Sequence, residues 1–272
     1  MIHLLIAGND YAAKGLLIIV LSYLRSNSRP VTIHFITMDL TDRNPKFKPI
    51  HEGQVDYIRK VLKSANKDNE LIIHDALREY LSTPFNRKYD RSMYTPYALL
   101  RIFADKLDLP DKVLYLDTDT FILKDLSPLF DMDIEGHEFA GAIDQIGEYW
   151  ISPDYMNSGV LLLNMKEIKK TGLLDKCRDW LHKKHSPLAD QSALNYCSVS
   201  KVYMDQRYNE QKKTQDVTVI RHFSKILVWF PIFHTRNVKP WHLEKMKKRK
   251  DYHYFKEVIE DYEGRLEEFG RL

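Results

Sequence analysis

Apolar residues recur along this chain in two alternating rhythms. Residues 3–7 (His-Leu-Leu-Ile-Ala) form a short strand-like run that ends at the turn Gly8-Asn9-Asp10, and residues 11–25 then carry a long apolar helical face. The cluster Asn27-Ser28-Arg29-Pro30 stops that helix, and the β-branched segment Val31–Thr37 reads as a second strand. Helical periodicity returns over 54–65, followed by a third strand at Leu71-Ile72-Ile73-His74. The order βαβαβ predicts a doubly wound α/β sheet, in which ligands bind at the carboxyl ends of the strands. After a loop rich in Pro, Asn, Arg and Asp at 84–91, a helix over Pro96–Lys106 leads into Lys112–Leu116. That strand is almost wholly apolar, the pattern of burial on both faces. Further strands are predicted at Phe139–Ile143 and 159–163, a helix at Leu173–Lys183, and a charged amphipathic helix over 253–272.

Composition narrows the class. With 272 residues the chain can bury a large core in one domain or two small ones, and a hydrophobic fraction of 44% excludes disorder. Lys and Arg total 41 against 38 Asp and Glu, a net charge of +3, which is less basic than a dedicated nucleic-acid binder. Cys177 and Cys197 show no CxxC spacing, so a zinc ribbon is excluded and two reduced thiols are expected. The longest apolar run, at 15–21, is well short of the roughly 18 residues of a membrane span. The N-terminus carries no basic leader pattern, and cytoplasmic residence is the expectation.

The sharpest chemical signal is Leu116-Asp117-Thr118-Asp119-Thr120, where the buried strand gives way to a loop. Carboxylates at i and i+2 can turn toward one hard divalent cation, Mg²⁺ or Mn²⁺, that also binds phosphate. The same pattern fits a haloacid-dehalogenase-type phosphatase with Asp117 as nucleophile, although such enzymes carry that strand near the N-terminus and a later acidic pair. In Met156-Asn157-Ser158-Gly159, just before the predicted strand at 159, Asn157 can bond a sugar hydroxyl and Gly159 permits close backbone approach; a plain turn is the alternative. Asp190 and Gln191 stand at a predicted helix start, where Asp190 is either an N-cap or a substrate contact. Downstream, either His222 or His234 can complete a metal sphere, and Lys239-Pro240-Trp241 offers a cation to a diphosphate.

Taken in order, Asp-x-Asp after Val-Leu-Tyr-Leu, Met-Asn-Ser-Gly-Val-Leu-Leu-Leu-Asn, Ala-Asp-Gln-x-x-Leu-Asn, His-Phe and Lys-Pro-Trp resemble glycosyltransferase family 8, over roughly residues 1–242. The resemblance implies a GT-A fold, with a mixed, Rossmann-like sheet flanked by helices in one catalytic domain (1–242) and a basic helical C-terminal appendage (243–272). It implies a UDP-hexose donor, Mn²⁺ (Mg²⁺ as substitute), transfer to a glycan, glycolipid or glycoprotein with retained anomeric configuration, and Asp117 and Asp119 as the metal pair. By the same match, Ala7, Asn9, Asp10 and Tyr11 hold the uridine, and Arg101 approaches the donor sugar and diphosphate. Asp117 and Thr118 lie beside the nucleotide, while Asp144 and Asn157 contact the sugar. Asp190 and Gln191 flank the anomeric carbon, and Lys239 binds the diphosphate.

Two departures stand out. The first loop reads Gly8-Asn9-Asp10-Tyr11 in place of the family's usual Asp-Asp-Asn-Tyr, so one carboxylate is missing. The family's metal histidine normally precedes the Lys-Pro-Trp lysine by a few residues. Here the strand-end context of His222 favours it over its rival His234, which makes 225–233 an insertion over the donor. A catalytically silent sugar-nucleotide-binding protein is a further reading of the same residues. The basic run at 245–250 with Tyr252, Tyr254 and Phe255 suggests either a solvated face or peripheral contact with an anionic membrane.

Overall fold

A computed structural model describes residues 1–85, 95–186, 188–228 and 234–272, the backbone alone over 226–228 and 234–236. Its strands are β1 (Ile2–Ala7), β2 (Val31–Thr37), β3 (Glu70–Asp75), β4 (Lys112–Leu116), β5 (Thr120–Ile122), β6 (Phe139–Ile143), β7 (Met156–Asn164), β8 (Lys201–Tyr203), β9 (Ile220–His222), β10 (Ile226–Val228) and β11 (His234–Arg236). Seven of them form one sheet in the order β3-β2-β1-β4-β7-β6-β8. β1 to β4 run parallel, whereas β7 lies antiparallel to both β4 and β6. The sheet is therefore mixed, as expected, with helices on both faces.

Alternation along each strand divides the core. Leu4, Ile6, Ile33 and Phe35 point to one face, beneath the helices Ala13–Ser26, Glu52–Ala65 and Lys256–Phe269. Leu5, Ile36, Val113 and Tyr115 point to the other, beneath the segment Pro96–Lys106 and the helices Leu173–Lys183 and Ala189–Cys197. The helix Ala13–Ser26 buries an unbroken apolar run because sheet, strand β5 and the C-terminal helix enclose it.

Several predicted elements change on inspection. Pro96–Lys106 winds as a 3-10 helix, whose period of three stacks Tyr97, Leu100 and Phe103 into the core. The helix read at 11–25 opens with a 3-10 turn, Asp10–Ala12, because Asn9 Oδ1 accepts from the Ala12 amide. β7 begins at Met156, so Asn157 and Ser158 lie inside a buried strand and not in a turn before it. Pairing of Met156 with Ile143, beyond a register shift in β6, extends the ladder that far.

Two ribbons flank the sheet, β5 with β9 and β10 with β11. The C-terminal segment packs against the first: Phe255 meets Phe121 at 5.0 Å and Phe223 at 5.4 Å between ring centroids. Val258, Ile259, Tyr262 and Phe269 join the same core. That packing turns the apolar half of the 245–255 run inward. Met246 and Phe255 are buried, Lys247 pairs with Glu263 at 2.7 Å and Arg249 with Asp251 at 2.7 Å. Tyr252 and Tyr254 are half-buried against the same core, whereas Lys245, Lys248 and Lys250 remain exposed. Among the described residues no helix is long and apolar enough to cross a membrane.

Candidate active site

The Asp117-Thr118-Asp119 loop leaves β4 at its carboxyl end and turns directly into β5, which pairs antiparallel with β9 and sets Thr120 opposite His222. Backbone bonds anchor both ends of the loop: the Asp117 amide donates to Gly159 O at 2.8 Å, and the Phe223 amide donates to Asp119 O at 2.9 Å. Below the loop, Gly15 leaves room that a Cβ would take from the Thr118 carbonyl. His222 Nε2 thereby lies 3.3 Å from Asp119 Oδ1 and 3.7 Å from Asp117 Oδ2. One ligand atom from each of the three residues falls within 4.8 Å of the others.

Gly159 makes this placement possible in a way the sequence did not suggest. A Cβ at that position would overlap Cε1 of His222, so the glycine admits the imidazole ring. The side chain of His234 lies outside the described residues, as does 229–233 of the expected insertion.

Asp117 is held from behind. Its Oδ1 accepts from Arg101 Nη2 at 2.7 Å and from Tyr115 OH at 2.9 Å, leaving Oδ2 on the His222 side. Arg101 is buried, donates to Ser158 O, stacks 4.3 Å from the Tyr115 ring centroid, and places Nε 2.8 Å from Asp190 Oδ2. That last contact is an ion pair without an aligned hydrogen bond. Arg101 is thus engaged by two carboxylates. Asp190 belongs to the helix Ala189–Cys197 and makes no N-cap bond, so the capping alternative falls away. Burial pushes its carboxyl up to about 6, with Arg101 pulling the other way. The preceding Ala189 stands at φ 27°, in the left-handed region that an L side chain rarely adopts.

Asp119 shows the opposite balance. Burial works against its charge, yet Lys239 and His222 outweigh burial and hold its carboxyl well below the usual range. Lys239 Nζ pairs with Asp119 and donates to Phe223 O at 3.0 Å.

A polar patch adjoins these carboxylates. Asp144 Oδ2 accepts from Asn157 Nδ2 at 2.9 Å and from Gln191 Nε2 at 3.2 Å. Gln191 Oε1 accepts from the Ser158 amide at 3.0 Å, so both ends of that amide are engaged. The structure therefore unites Asp117, Asp119, His222, Lys239, Arg101, Asp190, Gln191, Asn157 and Asp144. At the end of β1, Tyr11 is more than half exposed, meets Trp241 edge-on at 5.8 Å and accepts from its Nε1 at 3.0 Å. Asn9, by contrast, spends its side-chain oxygen on the local turn. Tyr115, Ser158 and Asn209 were not singled out in the sequence. Tyr115 reads there as one more apolar strand residue, and Tyr208-Asn209-Glu210-Gln211 carries no periodicity that would mark it.

Residues 3–245 match the sequence profile of glycosyl transferase family 8. The chain belongs to this family. Among its relatives, glycosyltransferase GlyF of Streptococcus pneumoniae serotype 4 is 24% identical over 187 residues, which cover 67% of this chain and 42% of GlyF. Glycosyltransferase GlyA of the same organism is 33% identical over 161 residues, 57% of this chain and 22% of GlyA. The chain thus spans less than half the length of either relative. An active-site mutant of LgtC superposes with a TM-score of 0.72 at 18% identity, covering 96% of both chains. Galactosyltransferase LgtC in complex with donor and acceptor sugar analogs gives 0.69 at 17% identity, again over 96% of both. This likeness identifies the family 8 fold as GT-A, and family membership displaces the phosphatase alternative for the Asp-x-Asp pair.

Proposed function

We propose that this family 8 protein is a retaining hexosyltransferase that moves galactose or glucose from a UDP-sugar to a glycan, glycolipid or glycoprotein acceptor. The observation that carries the reading is the convergence of Asp117, Asp119 and His222 at the carboxyl end of β4, with Lys239 beside them. Two carboxylates and an imidazole fit a divalent ion of the Mn²⁺ type: the oxygens suit Mg²⁺ and Mn²⁺ alike, and the nitrogen favours the transition metal. Bound there, the ion would neutralise charge developing on the departing diphosphate.

The chain's own residues supply the rest. Lys239 brings a second positive charge to the diphosphate. Arg101 fixes Asp117 and Asp190 in orientation. Ala7, Asn9, Asp10 and Tyr11 line the uridine side, Tyr11 offering an exposed ring face, and Thr118 lies beside the nucleotide between the two aspartates. Asp144 and Asn157 read the sugar hydroxyls. Gln191, engaged at both ends of its amide, serves to position and not to attack. A front-side path follows: the bond from C1 to the UDP oxygen breaks, the acceptor oxygen bonds C1 on the same face, and the acceptor proton passes to the departing phosphate oxygen. Asp190, with its raised carboxyl, polarises this exchange. We place the catalytic unit at 1–242 and assign 243–272 to bracing the β5–β9 ribbon, with cytoplasmic residence.

The test is donor consumption. With Mn²⁺ and UDP-galactose or UDP-glucose, slow hydrolysis without acceptor is expected, together with a donor-dependent rise in melting temperature. A protein that binds UDP-sugar yet neither hydrolyses nor transfers it would instead be a silent binding protein.

A further inference from the structure

Between the patch around Asp144 and the ligand His222 runs one buried chain of side-chain hydrogen bonds. Asn157 Nδ2 donates to Asp144 Oδ2 at 2.9 Å, Asn209 Nδ2 donates to Asn157 Oδ1 at 3.0 Å, and Asn209 Oδ1 lies 3.0 Å from His222 Nδ1. All four residues are buried, Asn209 completely. An amide has an acceptor end and a donor end, so each link fixes the next. The first link is fixed twice. Asp144 receives only N–H donors here, from the Ile146 and Gly147 amides on Oδ1 and from Asn157 and Gln191 on Oδ2. Independently, the Gly159 amide donates to Asn157 Oδ1 at 2.9 Å, which identifies that atom as the oxygen. Asn209 must then present its NH₂ to Asn157 and its oxygen to His222.

We propose that Asn209 is a positioning residue that sets the tautomer of His222. Its oxygen holds the imidazole proton on Nδ1 and leaves the Nε2 lone pair facing Asp117 and Asp119, the arrangement a metal-ligating histidine needs. Through Asn157 and Asp144 the same chain reaches the residues assigned to the donor sugar, so one relay aligns cation seat and sugar pocket. Gly159 takes part twice, by its N–H to Asn157 and by the missing Cβ that admits the ring. The inference rests on the cation reading of the site for its purpose and on the hydrogen-bond directions alone for its content.

Those two parts separate experimentally. ¹⁵N NMR of histidine-labelled, chelator-treated protein at alkaline pH reports which ring nitrogen carries the proton, and the His222→Gln variant identifies the resonance. The expected result is the Nδ1–H tautomer at His222, and an Nε2–H tautomer overturns the relay whatever binds there. Asn209→Leu shifts His222 toward Nε2–H and weakens Mn²⁺ binding, read from the EPR signal of free ion, by ~10–100-fold. Asn209→Asp keeps an acceptor at Nδ1–H and so restores the tautomer toward wild type, while it gives up the donor that Asn157 Oδ1 receives. An unchanged tautomer in Asn209→Leu refutes the proposal. Should that variant not fold, the wild-type spectrum decides alone. A wild type that shows Nδ1–H and ignores Mn²⁺ strikes the cation reading and leaves the relay standing.

Discussion

Two sets of histidine in this protein, one centred on buried His34 and one on buried His222, live in opposite surroundings. On the adjacent parallel strands β1, β2 and β3, His3 Nδ1 lies 3.4 Å from His34 Nε2, and His34 Nδ1 lies 3.1 Å from His74 Nε2. Each ring finds another imidazole as neighbour, and the carboxylate of Asp108 is a minor counterweight. Burial, then His74 and His3, push His34 down to about 4. His222 instead has two aspartates at one nitrogen and an amide oxygen at the other. The ladder lets its rings share protons without charge, whereas the His222 site gathers negative charge on purpose. The neighbours decide what a buried imidazole does.

The largest expected effect lies on the charged side of that contrast. Asp119→Ala should cut metal-dependent transfer by at least ~10³-fold, since it removes a ligand and the partner of Lys239. Circular dichroism should stay native, and turnover near wild type would show that the carboxylates serve another end. The ladder should answer to acid. His34 titrates at about 4 when folded against 6.5 when not, so the folded state binds fewer protons between those values. Its contribution is complete above pH 6.5 and is lost as pH falls toward 4, with a ceiling of about 3 kcal/mol. Urea unfolding across that window should steepen in wild type and flatten in His34→Leu; equal slopes would remove the ladder as the cause.

Smaller effects sharpen the comparison. Gly159→Ala displaces the His222 ring and should lower turnover by ~10²-fold, with weaker Mn²⁺ binding and no change in the acid response. Tyr11→Ala should raise KM for the UDP-sugar by about 5-fold, close to 1 kcal/mol of lost aromatic contact, with kcat held. A kcat defect there would move Tyr11 out of the nucleotide side.

Legibility followed the same division. The apolar runs of β1, β2 and β4 announced themselves because burial on both faces leaves a continuous hydrophobic signature. Asp117 and Asp119 were readable since two carboxylates closing such a strand have few structural uses. Thr120-Phe121-Ile122 was not, for three residues are too few to show a period, and the strand exists through its pairing with β9. The sequence sets Asn157 just ahead of a strand, with an Asn-Ser-Gly turn as the alternative, and its bonds to Asp144 and Gly159 are what make it tolerable inside a buried strand. Asn209 left no trace, as a partner some fifty residues away in sequence gives a lone amide its meaning.

The β5–β9 ribbon also sets a timetable. Pairing Thr120 with His222 closes a loop of about a hundred residues, an arrangement that forms late because the entropy of closure precedes its reward. During synthesis at ~5–20 residues per second, the two aspartates emerge several seconds before the histidine that completes their set. Under the proposed function, a nascent chain could not load a cation early. On that reading metal capture would mark finished folding, and Mn²⁺ uptake during refolding should track the last kinetic phase and not the first.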